Sequence, residues 1–180
     1  VQNVTRQALP LLRETAVRMD NKGVVKIINV SSTQGRSALP ALGAYGASKF
    51  ALEGFSESLY FELKPFGIRV VLIEPGAYST KAIRDNTRRA QHAGEADSPY
   101  TLYSNLFEQK YKQMLATGVG IGDPEDVAEL IEKIVNCSRP HFRYVIGSGA
   151  KLRLFAKQLL PFTWFASLIS RIIFGKISQR

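Results

Sequence analysis

The sequence predicts an α/β fold built on a parallel sheet. Residues 24–30 and 68–73 are short, apolar, β-branched runs bounded by turn residues, the composition of strands covered on both faces. Between them, residues 44–63 carry apolar side chains at helical spacing. A strand, a whole helix and a second strand in succession read as a crossover connection, which joins parallel neighbours.

Each element has its own local signals. Residues 4–19 read as a helix with Val4, Ala8, Leu11, Leu12 and Ala16 as its apolar stripe, and Pro10 inside it is expected to bend or divide it. Asn21-Lys22-Gly23 ends that helix, and a loop rich in Ser, Gly and Ala follows the first strand over 31–43. The second helix presents Leu52, Phe55, Leu59 and Leu63, and Pro65-Phe66-Gly67 stops it. Pro75-Gly76 then breaks the second strand. Residues 78–99 are polar and weakly patterned, the character of a lid or binding segment, and 100–116 returns to a helical pattern. Gly118-Val119-Gly120-Ile121-Gly122 reads as a loop before a helix. Asp123 caps that helix, with Pro124 at its first position and apolar residues to Val135. A last strand falls at 142–146, and from 151 a basic, apolar helix pair is split at Pro161.

Composition narrows the function classes. With 180 residues, 45% apolar and 22% charged, the chain has the profile of one globular domain. Its single cysteine, Cys137, excludes an internal disulfide and a cysteine-rich metal site, which suits a reducing, cytoplasmic setting. The net charge of +9 is uneven: residues 1–132 hold 15 basic and 15 acidic residues, whereas 133–180 hold nine basic and none acidic. That segment reads either as a solvated basic tail or as a surface meeting anionic lipid at a membrane periphery. No recognition motif or stacking ladder for nucleic acid accompanies it. Its apolar run, 159–174, is interrupted by Pro161, Ser167, Ser170 and Arg171 and is shorter than the ~20 residues a membrane-spanning helix needs.

Chemistry concentrates between the two strands. Ser32 ends the first strand, Tyr45 follows 13 residues later, and Lys49 stands four residues beyond Tyr45 on the same helix face. A free tyrosine titrates near about 10 and is a poor base at neutral pH, but a neighbouring ammonium favours the phenolate. Tyr45 can then take a proton from an alcohol or give one to a carbonyl, with the Ser32 hydroxyl holding the substrate oxygen. A hydride leaving carbon needs an acceptor that no side chain supplies, and a nicotinamide cofactor supplies it. Tyr60 and Lys64 repeat the spacing without a strand end before them, so Tyr60 reads as a helix-surface residue. Glu74 reads as a capping or core-edge ion-pair partner, and His92 and His141 as surface residues. Tyr78, Tyr100, Tyr103, Phe107 and Tyr111 read either as pocket lining or as ordinary packing.

The run Ile27-Ile28-Asn29-Val30-Ser31-Ser32-Thr33-Gln34-Gly35, followed by Tyr45-Gly46-Ala47-Ser48-Lys49, closely resembles the short-chain dehydrogenases/reductases. Ile73-Glu74-Pro75-Gly76, with Thr80 five residues after Pro75, resembles them too. The resemblance implies a Rossmann-like doubly wound parallel sheet, of which residues 1–180 are the second half. In that reading 1–180 is the C-terminal part of one NAD(P)-binding domain, with a lid at about 78–122 and the basic segment at about 151–180. It gives Ser32, Tyr45 and Lys49 the catalytic positions. Tyr45, Lys49, Pro75, Gly76 and Thr80 contact the cofactor, Lys49 at the nicotinamide ribose and Thr80 at the carboxamide. The cofactor is NAD or NADP, and no metal is implied. The family's strand, glycine-rich turn and helix for the pyrophosphate do not precede Ser32, nor does its Asn-Asn-Ala-Gly stretch. The expectation is therefore a chain that begins partway through a longer enzyme.

By resemblance, the helices at 4–19 and 44–63 pair subunits into a homodimer or homotetramer. The lid and its aromatic residues suggest a bulky apolar alcohol or ketone, of steroid, retinoid or long-chain type. The rival expectation is a non-catalytic, membrane-peripheral binding protein that keeps the sheet without a working cofactor site.

Overall fold

The computed structural model describes residues 1–20, 22, 24–80, 95 and 98–175. In chain order its elements are α1 (Gln2–Arg18), β1 (Lys26–Val30), α2 (Gly43–Leu63), β2 (Arg69–Pro75), β3 (Ala77–Tyr78), α3 (Thr101–Thr117), β4 (Ile121–Gly122), α4 (Pro124–Asn136), β5 (Arg143–Ile146), α5 (Ala150–Leu159) and α6 (Phe162–Phe174). Strand β2 is central, with β1 and β5 parallel to it on either side. The register runs from Lys26↔Arg69 to Val30↔Ile73 on one side and from Leu72↔Arg143 to Pro75↔Ile146 on the other.

Helices cover both faces, as a doubly wound sheet requires. Val70 of β2 packs with Ala16 of α1 and with Leu59 and Leu63 of α2. Val71 and Ile73 point the other way, onto Ile134 of α4 and its neighbours Val127, Leu130 and Ile131. This alternation explains why the strand is apolar throughout: each face of β2 has its own helix layer. Burying each such Val or Ile contributes about 1.5–3 kcal/mol relative to leaving it in water. Gly67 ends the 3-10 turn Lys64–Phe66 that follows α2, in the left-handed region at φ 70°, where a glycine carries no Cβ penalty. Asp123 caps α4 as its sequence indicates, its Oδ1 accepting the N–H of Glu125 at 3.0 Å.

Several sequence expectations need correction. Helix α1 runs undivided through Pro10, which lies on the exposed side, where the carbonyl four residues back can meet water. Its core face is Thr5, Ala8, Leu9, Leu12 and Ala16, while Val4 and Leu11 are 73% and 66% exposed. The apolar residues of α1 therefore form two ridges, and only one faces the sheet. Among the described residues strand β1 lies at one side of the three-stranded sheet, with Val30 exposed at its end. Ile121 and Gly122, read as loop, form β4 and pair in parallel with Ala77 and Tyr78. Tyr60 is not a surface residue: its ring lies 4.8 Å from that of Phe142 and joins the α1–α2 core. His92 and most of the 78–99 lid segment lie outside the described residues.

Candidate active site

Strands β1 and β2 end side by side, and the chain leaving each end builds the site. Ser32 is buried just beyond β1. Its Oγ accepts the Gln34 N–H at 3.1 Å, capping the 3-10 turn Thr33–Gly35, and donates to the Pro75 carbonyl at 3.4 Å. The hydroxyl thus bridges the two strand ends. Gly35 lets this turn lie against α2: a Cβ there would sit 2.7 Å from Glu53 Cγ and 3.0 Å from both the Lys49 carbonyl and Ser31 Oγ.

Helix α2 supplies the other two residues from one face. Lys49 Nζ donates to the Val30 carbonyl at 3.0 Å and lies 5.7 Å from the centre of the Tyr45 ring. Burial pushes the Lys49 ammonium below its ordinary pKa of 10.5, and the Glu53 carboxylate pulls it back upward. Tyr45 itself is 45% exposed, which leaves its phenol open to a ligand at the carboxyl ends of the strands. In open α/β sheets that edge is where ligands bind.

Behind these residues lies an ion cluster that sequence reasoning reached only in part. Glu74, on β2, is fully buried between Arg36 Nη1 at 3.2 Å and Arg143 Nη1 at 3.3 Å, which bears out its reading as an ion-pair partner. Arg143 also donates through Nη1 to Glu53 at 2.7 Å and through Nη2 to Glu57 at 2.7 Å. Burial raises the Glu74 carboxyl above its ordinary value, Glu53 raises it further, and Arg36 and Arg143 oppose both. Three carboxylates face two guanidinium groups, so the ammonium of Lys49 brings the group to neutrality. The local signal was the ladder Lys49, Glu53 and Glu57 at four-residue steps on one helix face.

Helix α5 fastens the loop after Ser32 from outside. Arg153 donates to Thr33 Oγ1, and Lys157 Nζ donates to the Arg36 carbonyl. Gly76 N–H donates to the Ile146 carbonyl at 2.8 Å, tying the end of β2 to β5. Thr80 turns back on Tyr78, its N–H donating to that carbonyl at 3.0 Å, and no hydrogen bond joins it to Ser32, Tyr45 or Lys49 among the described residues. Tyr78 is buried against Gly122. Tyr100, just before α3, is exposed; on α3, Phe107 and Tyr111 are half-buried, and Tyr103 packs edge-on against Phe174 of α6 at 5.5 Å.

The donor set fits the nicotinamide–ribose end of a dinucleotide. Among the described residues Lys49 makes one side-chain hydrogen bond, and its remaining N–H groups can serve ribose hydroxyls, beside an accessible phenol at an open strand edge. Residues of this chain that would hold the pyrophosphate are not found among those described.

The fold and this strand-end arrangement define a class: the chain belongs to the short-chain dehydrogenase family. The family model described as short chain dehydrogenase matches residues 1–91, the stretch that contains Ser32, Tyr45, Lys49, Pro75, Gly76 and Thr80. Among its relatives, the chain is 39% identical to the uncharacterized oxidoreductase YusZ of Bacillus subtilis, over 97% of this chain and 59% of that protein. It is 33% identical to retinol dehydrogenase 5 of Homo sapiens, over 94% of this chain and 52% of that protein. A crystal structure of a short-chain dehydrogenase from Streptomyces avermitilis superposes with a TM-score of 0.61 at 28% identity, covering 93% of this chain and 55% of the other. The chain therefore spans just over half the length of the proteins it matches.

Proposed function

We propose that this chain carries the catalytic residues of an NAD- or NADP-dependent oxidoreductase that interconverts an alcohol and a carbonyl. The observation that carries the reading is the placement of the Lys49 ammonium between the Val30 carbonyl and the Tyr45 ring, at the strand end where Ser32 is fixed. In the oxidising direction Tyr45 takes the hydroxyl proton while Ser32 hydrogen-bonds the same oxygen. Tyr45 accepts that proton as the phenolate, whose negative charge Lys49 offsets, and Lys49 also holds the ribose. When bound, the nicotinamide accepts the hydride from the alcohol carbon, or supplies one in reduction. Pro75 and Gly76 would form the wall beside the nicotinamide, and Thr80 would hold its carboxamide.

A bulky apolar substrate, of steroid, retinoid or long-chain type, is supported by the kinship with a protein named retinol dehydrogenase and by the aromatic side chains of α3. Residues 1–180 act as one part of a single NAD(P)-binding domain, with 78–122 as its lid. A homodimer or homotetramer through α1 and α2 is supported by the outward ridge of Val4, Leu11 and Val17 and by Phe61, all at least 66% exposed.

The test uses the full-length protein with NAD⁺ or NADP⁺ and, in turn, retinol, a hydroxysteroid and a long-chain primary alcohol. Reduced-nicotinamide fluorescence that grows only with both alcohol and cofactor is the expected result. Absence of saturable NADH and NADPH binding, read by quenching of Trp164, would overturn the reading.

A further inference from the structure

Helix α5 buries Ala150 and Leu154 on its inner side yet keeps a second apolar ridge outside. Its cations Arg153 and Lys157 turn inward to the loop after Ser32, while Leu152, Phe155 and Leu159, at helical spacing, are 71%, 58% and 64% exposed. An amphipathic helix packed on a soluble surface does the reverse. Beyond Pro161 the pattern continues. On α6, Phe165 is buried, whereas Phe162, Trp164, Leu168 and Ile172 face outward with Arg171 among them. Two successive helices thus present apolar ridges to solvent, far more than the scattered exposed residues of an ordinary surface.

The charge around these ridges has one sign. No acidic residue occurs between 133 and 180. Beside Leu152 and Phe155, an open groove of about 460 Å³ is lined by Arg36 and Lys151 together with Val145, Leu154 and Gln158. Arg36 and Arg153 both disfavour the protonated form of Lys157, after burial has done the same, so three cations crowd together where α5 meets the loop after Ser32, and Arg36 of that group lines the groove. Only Arg36 has an ion-pair partner among the described residues. A second copy set against this face would bring like charges together, at Lys151 and Arg171. Phosphates above and acyl chains below satisfy both the cations and the ridges.

We propose that the outward face of α5 and α6 docks on an anionic phospholipid membrane, with headgroup phosphates at Lys151, Arg171 and the Arg36 groove. The ridge side chains enter the headgroup–acyl boundary without crossing it; no described helix is long and apolar enough to span. Ser32, Tyr45 and Lys49 are not among its residues, and the docking does not depend on the proposed reaction.

The test is co-sedimentation of the full-length protein with vesicles of phosphatidylcholine alone or of phosphatidylcholine and phosphatidylglycerol in equal parts. Binding to the mixed vesicles only, weakening as salt is raised, is expected. Lys151→Gln and Arg171→Gln should each weaken it about fivefold, and Phe155→Ser or Trp164→Ser about tenfold. Circular dichroism controls for folding, and Tyr45→Phe should bind as wild type. No binding, or binding to phosphatidylcholine alone that Lys151→Gln and Arg171→Gln leave unchanged, would overturn the proposal. So would a solution mass that Phe155→Ser lowers to that of one chain, which would assign the face to a second copy.

Discussion

At Lys49 two demands oppose each other. Its ammonium must stand beside the Tyr45 ring and the Val30 carbonyl, and that position is half-buried, so desolvation disfavours the charge more than Glu53 restores it. A lysine whose folded pKa lies below 10.5 binds fewer protons folded than unfolded across that interval, and stability rises with pH through it. At neutral pH the penalty is present in full. Lys49→Met should abolish turnover, and since it lacks this titration, its unfolding midpoint should fall relative to wild type as the pH rises toward 10.5, which a series of thermal melts checks. Gly35 makes a second prediction at this scale. A methyl there meets Glu53 Cγ at 2.7 Å, and Glu53 is itself clamped, so Gly35→Ala should cost about 1–3 kcal/mol in denaturant unfolding. The spacing of Ser32, Tyr45 and Lys49 was legible because it is local. The need for glycine at 35 was not, since two of the three atoms it spares, on Lys49 and Glu53, come from α2.

Four segments meet at the ion cluster: α2 through Glu53 and Glu57, β2 through Glu74, the loop after Ser32 through Arg36, and β5 through Arg143. Arg143 alone touches three carboxylates. Arg143→Leu would leave Glu53 and Glu74 buried with less compensation and should cost about 3 kcal/mol. Its pH dependence follows from Glu74, whose folded pKa is raised: that group favours the folded state most below 4.5 and loses the benefit as pH rises. Removing Arg143 raises the folded value further, so the variant's deficit should be largest at neutral pH and shrink in acid. Urea melts at several pH values measure this. The sequence marks Glu74 as an ion-pair residue but not its partners, because Arg143 lies 90 residues from Glu53 in the chain. Helix α1 shows a related limit. Val4 and Leu11 share an apolar spacing with Ala8 and Leu12, and only packing decides which ridge the sheet covers.

Across the whole molecule the parallel sheet was the most legible feature, since an unbroken apolar strand with a helix layer on each face admits few other folds. The two-residue pairing of β3 with β4 was not legible: it joins segments more than 40 positions apart with no periodic signal. The exposed ridge of α1 and Phe61 of α2 carry a prediction about assembly. Leu11→Asp with Phe61→Asp should weaken self-association at least about tenfold, seen by light scattering as a fall toward the mass of one chain.

The most direct test of the catalytic reading is Tyr45→Phe in the full-length protein, with turnover and nicotinamide binding measured on the same sample. Turnover should be lost and cofactor affinity nearly unchanged, because Lys49, Pro75 and Gly76 remain in place. Wild-type turnover in that variant would contradict the assignment of Tyr45 as the group that moves the proton.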